Sequence, residues 1–202
     1  GDGRAWLRRN RPSADPTPVN PVGLRLALGL PHSAAYIARP CQFVTGDQRR
    51  NCAPVIWTNA RFAPEVIASL NTVVDRIKQR TGAQSLRLAG FSGGGSGAAL
   101  LAVDRTDVVQ LITVAAPLDI DAWAVHHDVS RLRHSRNPAE HLRKLAHIPQ
   151  VHVVGADDDV VPVHLSEAFI ARMPADHRAR LIRIAKADHS CCWPPAVLQA
   201  GH

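Results

Sequence analysis

Aromatic residues are scarce in this 202-residue sequence: one tyrosine, Tyr36, with four tryptophans and four phenylalanines. Lys and Arg number 24 against 17 Asp and Glu, a formal charge of +7. The arginines are scattered and are not interleaved with aromatics along a stripe, the pattern nucleic-acid recognition needs. The excess charge therefore reads as a basic, solvated surface, with no nucleic-acid partner. No run of eighteen apolar residues occurs, so no helix of this chain is expected to span a membrane. The four cysteines, at 41, 52, 191 and 192, include no C-x-x-C pair, which disfavours a zinc ribbon or a thioredoxin-type site. Internal repeats are absent. With 46% apolar residues, the chain is long enough to bury a substantial core, and residues 1–202 read as a single domain.

Against this background one stretch stands out, residues 86–100, LRLAGFSGGGSGAAL. A short apolar run leads into Gly90-Phe91-Ser92-Gly93-Gly94, and small residues suited to a helix follow. This is strand, sharp turn and helix with a serine at the apex, the G-x-S-x-G pattern of a nucleophile elbow. Glycines flank such a serine because its backbone is strained and a neighbouring side chain would collide with strand or helix. A flexible linker would not carry ordered apolar patterns on both sides. A phosphate-cradling loop would need the Lys-Ser/Thr end of a Walker motif or a G-x-G-x-x-G at the strand's end, and neither is present.

Around this stretch the patterns alternate. Residues 1–20 are abrupt, basic and Pro-rich, and read as loop. A short helix follows Pro21, and residues 34–38 (AAYIA) read as a buried strand. After Pro64 an amphipathic helix carries Val66, Ile67, Leu70, Val73, Val74 and Ile77 at three- and four-residue steps and ends at Thr81-Gly82. Residues 108–115 form a nearly continuous apolar run, as in a parallel strand covered on both faces. Another strand is expected at 150–154, then a helix at about 164–173 and a last strand at 180–185. Only residues 117–149 interrupt the alternation. That segment is polar, carries Trp123, and reads as a cap- or lid-like insertion with one or two short helices. Alternating strands and helices mark an α/β protein with a mostly parallel sheet flanked by helices.

A serine hydroxyl is a weak nucleophile near neutral pH without a base. In chain order an acid should follow a later strand, and a histidine should follow the last one. Gly155-Ala156-Asp157-Asp158-Asp159 occupies the first place, with three adjacent aspartates that composition alone does not separate. His189 occupies the second, one of eleven histidines in the chain. His126, His127, His134 and His141 fall in the insertion, but they are read as solvated, and no metal or cofactor is expected. Cys41 and Cys52 flank a polar loop as a local disulfide would, the alternative being two free thiols. Cys191 and Cys192 are adjacent, and three states remain open: a vicinal bridge, free thiols, or other partners.

The elbow, the turn G-x-x-D-x-x-V-P at Gly155, Asp158, Val161 and Pro162, and Asp188-His189 together resemble the α/β-hydrolase fold superfamily over essentially the whole chain. More narrowly, GDG-x-AW at the start, ARPCQ and DH-x-CCW are similar to an uncharacterised group of bacterial α/β hydrolases, many of them classed as lipoproteins. The resemblance implies Ser92 as nucleophile, His189 as general base and then acid, and Asp158 as the carboxylate that holds the imidazole. It implies an oxyanion hole from the N–H of Gly93 and that of Asp2 or Gly3. Trp6, Phe91 and Trp123 are then expected near substrate.

In that fold a central strand precedes the loop matched by residues 1–3 and lies between those corresponding to 34–38 and 86–90. The chain starts after it, so the N-terminal strands are expected to be missing and to lie upstream of Gly1. An uninterrupted parallel sheet across 34–38 and 86–90 would contradict this. Export to the periplasm, the outer membrane or the medium is the expected localisation, with any signal or lipid anchor outside these residues. The expected activity is hydrolysis of small-molecule carboxylic esters through an acyl-enzyme. The runners-up are an acyl thioesterase, a serine peptidase, or a non-catalytic, truncated form of the fold. A dehalogenase is disfavoured because the elbow carries Ser in place of Asp.

Overall fold

The structure is a computed structural model in which residues 3–8 and 10–199 are described. Asp2, one of the expected oxyanion donors, lies outside the described residues. Two minimal strands, β1 (Trp6–Arg8) and β2 (Arg11–Pro12), pair antiparallel near the start. Helix α1 (Val22–Leu28) follows, and α2 (Pro64–Thr81) begins with proline in its first turn and ends on Gly82. Gly82 takes a left-handed φ of 70°, which is why glycine stops this helix. Val66, Ile67, Leu70 and Val74 form its buried stripe. Val73, counted on that stripe by spacing, is exposed, because it lies just beyond the apolar arc.

The main sheet is four-stranded and wholly parallel: β3 (Leu86–Phe91), β4 (Val108–Val114), β5 (Gln150–Gly155) and β6 (Ala179–Ile184), side by side in chain order. Helix α3 (Gly93–Val103) connects β3 to β4, and α6 (Val163–Ala171) connects β5 to β6. Between β4 and β5 the chain forms α4 (Ile120–His126), a 3-10 turn at Pro138–His141 and α5 (Leu142–Ala146). One side of the sheet packs on Ala98, Ala99 and Ala102 of α3, Leu145 of α5 and Phe169 of α6. Across the sheet, Val22 and Leu26 of α1 meet Phe91, Val114, Val151 and Val153. Side chains as completely enclosed as Leu100, Leu111 and Leu145 each contribute about 1.5–3 kcal/mol from burial alone. All six residues of β5 are buried, as expected of a strand covered on both faces.

Two polar residues of β5 are enclosed with their partners. Gln150 Nε2 donates to Leu145 O and Ile148 O, so its Oε1 is left to accept from His152 Nε2 at 3.0 Å. His152 Nδ1 then accepts from the Thr113 hydroxyl at 2.8 Å. This pattern suits a neutral ring, and burial, followed by the charge of His177, pushes the pKa of His152 down to about 3.

The strand expected at residues 34–38 does not form. These residues take no regular secondary structure, and residues 34 and 35 are exposed. A strand needs a neighbour to take its N–H and C=O groups, and among the described residues none pairs with this segment. Among the described residues β3 is the edge of the sheet. A cavity of about 420 Å³ lies between β3 and residues 34–37, walled by Leu26 of α1 and by Leu70 and Val74 of α2. No helix among the described residues is long and apolar enough to cross a membrane.

Candidate active site

Ser92 sits between β3 and α3 with φ 51° and ψ −130°, a backbone conformation that a side chain rarely adopts. It is held there from both ends: Ser92 N donates to Val114 O at 2.8 Å, and Ser92 O accepts from Gly95 N at 2.8 Å. Glycine is required nearby by contact. A Cβ on Gly90 would stand 2.2 Å from Gly94 O, and one on Gly95 would stand 2.4 Å from Ala116 Cβ. Gly95, one residue beyond the motif, is therefore as constrained as the motif's first glycine.

The β5–α6 turn separates the three aspartates. Asp157 and Asp159 are exposed, whereas Asp158 is 4% exposed. Asp158 Oδ1 accepts from Val160 N at 2.9 Å and Val161 N at 2.8 Å, which orients the carboxylate inward. The turn after β6 brings His189 to it, with Nδ1 2.9 Å from Asp158 Oδ2 and Nε2 3.0 Å from Ser92 Oγ. Since an ionised carboxylate can only accept, the hydrogen lies on Nδ1 and the Nε2 lone pair faces the serine. Asp188, next in sequence, is not part of this chain of hydrogen bonds. Its Oδ1 accepts from Ser190 N, Ser190 Oγ and Cys191 N, tying the turn that carries the imidazole. Those bonds, first of all that from the Ser190 backbone, hold its carboxyl below the usual range.

Phe91 is 2% exposed and packs beneath the imidazole, with ring centroids 5.3 Å apart, while Trp193 meets its edge at 6.1 Å. It supports the imidazole from below. Trp123 lies on α4, and its indole N–H donates to Val160 O at 2.7 Å, joined there by His127 Nε2 at 2.8 Å. It therefore braces the turn carrying Asp158. Trp6 is 40% exposed on β1, and no described contact joins it to Ser92 or His189. The structure thus brings Ser92, Asp158 and His189 together with Phe91, but not Trp6.

Gly93 opens α3, where a backbone N–H has no helical acceptor. Gly3 lies close by through a side chain that sequence reasoning passed over. A Cβ on Gly93 would lie 3.3 Å from Arg39 Nη1, and one on Gly3 would lie 2.6 Å from Arg39 Nη2. Only the ARPCQ segment, which contains Arg39, hinted at this. Gln42 completes the junction, accepting from Arg39 N at 3.0 Å and donating to Pro16 O at 3.3 Å. Cys41 and Cys52 are disulfide-bonded, closing the loop that carries Gln42, and Cys191 and Cys192 are bonded to each other. Among the described residues no group of three or more His, Cys, Asp or Glu could hold a metal ion.

A parallel sheet with a strained serine between one strand and the next helix, an acid after a later strand and a histidine after the last one is the arrangement of the α/β-hydrolase fold. The fold of this chain is that of the α/β-hydrolase superfamily. It is similar to a puromycin hydrolase S511A mutant complexed with PGG, at TM-score 0.58 and 15% identity, over 79% of this chain and 26% of that one. A puromycin-hydrolyzing peptidase of Mycobacterium tuberculosis matches at TM-score 0.50 and 18% identity, over 61% of this chain and 22% of that one. An alpha-beta serine hydrolase homologue from Coxiella burnetii matches at TM-score 0.48 and 24% identity, over 61% of this chain and 50% of that one. The chain thus spans half or less of each of these three. No protein-family model matches the sequence, and no curated protein does.

Proposed function

We propose that the chain is a serine hydrolase of carboxylic esters, with Ser92 as nucleophile, His189 as base and acid, and Asp158 as its orienting carboxylate. The observation that carries this reading is the unbroken relay of two hydrogen bonds, 3.0 and 2.9 Å long, from a serine at φ 51° to a buried aspartate.

In the first half-reaction Ser92 Oγ attacks the ester carbonyl carbon while its proton passes to His189 Nε2. The carbonyl π pair moves onto oxygen, where the Gly93 N–H at the start of α3 meets the developing charge. Collapse of the tetrahedral intermediate breaks the bond to the alcohol oxygen, which leaves with the proton from Nε2. Water then attacks the acyl-enzyme, giving its proton to the same nitrogen, and the acid departs as Ser92 regains a hydrogen. Asp158 stays ionised throughout and stabilises the imidazolium that forms twice per turnover.

A fluorophosphonate probe tests the assignment. The folded chain is expected to be labelled at Ser92, with hydrolysis of p-nitrophenyl butyrate lost in Ser92→Ala. An unlabelled, folded parent would refute the enzymatic reading, and turnover that survives in Ser92→Ala would refute the nucleophile.

A further inference from the structure

Resting on the ester-hydrolase reading above, we infer that the Cys191–Cys192 bond is a redox switch of the site. Closed, it keeps His189 aligned between Ser92 and Asp158; opened by a dithiol, it lowers turnover while the fold stays intact.

The bond follows His189-Ser190 directly in the chain, and both of its cysteines are exposed, whereas Cys41 and Cys52 are half-buried. An exposed disulfide is the one a thiolate reaches first. On its near side the bond adjoins the hydrogen bonds that fix the imidazole turn. Cys191 N donates to Asp188 Oδ1 at 2.8 Å, beside Ser190 N at 2.7 Å, and Asn20 Nδ2 donates to Ser190 O at 3.0 Å. On its far side stands Trp193. Its ring meets the edge of Phe91, which packs under the imidazole, and a Cβ on Gly155 would lie 3.2 Å from Trp193 Cη2. Trp193 therefore packs against the strand ends that lead to the nucleophile and to the acid. The cysteine pair links it to the turn that carries the base.

Cys192 has φ 70°, in the left-handed region, where a residue with a Cβ is disfavoured. A bond between neighbouring residues closes a ring over the peptide that joins them, so the backbone there cannot turn freely while the bond lasts. Opening the ring frees Cys192 to return to negative φ and redirects the chain into Trp193. The packing beneath His189 then loosens. A small displacement of the base is costly in rate, because Nε2 must face Ser92 Oγ, 3.0 Å away.

The chemistry is thiol–disulfide exchange. A thiolate of the dithiol attacks one cysteine sulfur, the Cys191–Cys192 bond breaks, and the other cysteine leaves as a thiolate and takes up a proton. The second thiol of the reductant then attacks the mixed disulfide, which releases the remaining cysteine as a thiol and the reductant as its own disulfide. An oxidised dithiol reverses the exchange.

Dihydrolipoate and lipoate at graded ratios set the state of the folded chain. After desalting under argon, one portion is assayed on p-nitrophenyl butyrate, and another is alkylated, digested and analysed by mass spectrometry. Cys191 and Cys192 should be alkylated at ratios that leave Cys41 and Cys52 joined. In step with them kcat should fall about tenfold or more, with KM less affected and lipoate restoring the rate. Cys191→Ser combined with Cys192→Ser should start at the lowered rate and not respond to the same ratios. Independently of turnover, the low-field proton resonance of His189 Nδ1–H should be present in the oxidised chain and broaden on reduction, while circular dichroism stays constant. An active chain whose rate or resonance is unchanged with Cys191 and Cys192 fully reduced would overturn the inference, as would a loss of rate that recurs in the double variant. If the double variant does not fold, the wild-type series decides. In a chain that turns over no ester, a resonance that responds to reduction would leave the switch standing and remove the hydrolase reading, and a constant one would remove both.

Discussion

At the scale of single residues, the site depends on where hydrogen bonds end. Asp158 holds His189 in one tautomer, because its carboxylate takes the Nδ1 hydrogen. Asp158→Asn would keep the shape, but with its carbonyl oxygen held by Val160 N and Val161 N its N–H2 would face Nδ1 and so favour the tautomer whose Nε2 already bears hydrogen. A fall in kcat of about 10⁴ is expected, with KM little changed, measured on any ester the parent turns over. Gly90 is decided by contact. In Gly90→Ala the new methyl would lie 2.2 Å from the carbonyl oxygen of Gly94, a backbone atom that cannot swing away. The expected loss is on the order of 3 kcal/mol in urea unfolding, and a variant as stable as the parent would show that the elbow can open without penalty.

At the scale of elements, β5 leads into the turn that carries the acid and α4 is bonded to it through Trp123. His152, in the middle of β5, is neutral in the fold and protonates far below its ordinary pKa of 6.5. The unfolded chain therefore takes up a proton near pH 6.5 that the folded chain refuses until about pH 3. His152's contribution is complete above pH 6.5 and declines as pH falls through the window between those values. Urea unfolding from pH 7.5 to pH 4 should show a stability loss of a few kcal/mol attributable to this residue. His152→Gln should be less stable at pH 7.5 yet lose less on acidification. On α4, Trp123→Phe keeps a ring and deletes the donor to Val160 O. Removing that bond should cost about 1 kcal/mol of stability and lower kcat more than it changes KM. A rise in KM alone would point to the ring's touching substrate, as the sequence first suggests.

At the scale of the whole molecule, the region before α2 has little regular structure and is joined by crosslinks. Trp57 Nε1 donates to Ser13 O, Gln42 to Pro16 O, and Phe43 N to Thr17 Oγ1. The Cys41–Cys52 bond closes a short loop within this web. Replacing both cysteines by serine should lower stability by about 2–4 kcal/mol, read from melting under non-reducing conditions. Because Arg39 and Gln42 sit beside this bond, ester turnover should fall with it, while α3 and the sheet keep their circular dichroism.

The parallel strands, the amphipathic α2 and the elbow are legible in the sequence because each is written in local periodicity or in a turn that demands glycine. Ser92 and His189 could be placed by chain order alone, since acid, base and nucleophile follow strand ends in this fold. Composition did not separate Asp157, Asp158 and Asp159; only the resemblance, through the spacing of the G-x-x-D-x-x-V-P turn, pointed to Asp158. Burial and two backbone N–H groups select Asp158, and both depend on how the turn closes over β5. Residues 34–38 show the limit from the other side: an apolar run becomes a strand only where a neighbour accepts its hydrogen bonds, and that is a property of the sheet. Arg39 is the clearest case, 54 residues from Gly93 in the chain and in contact with it in space. Local sequence determines which elements can form and which residues can carry chemistry. Which charges face the elbow is decided only when distant segments pack, because electrostatic interaction depends on distance through space.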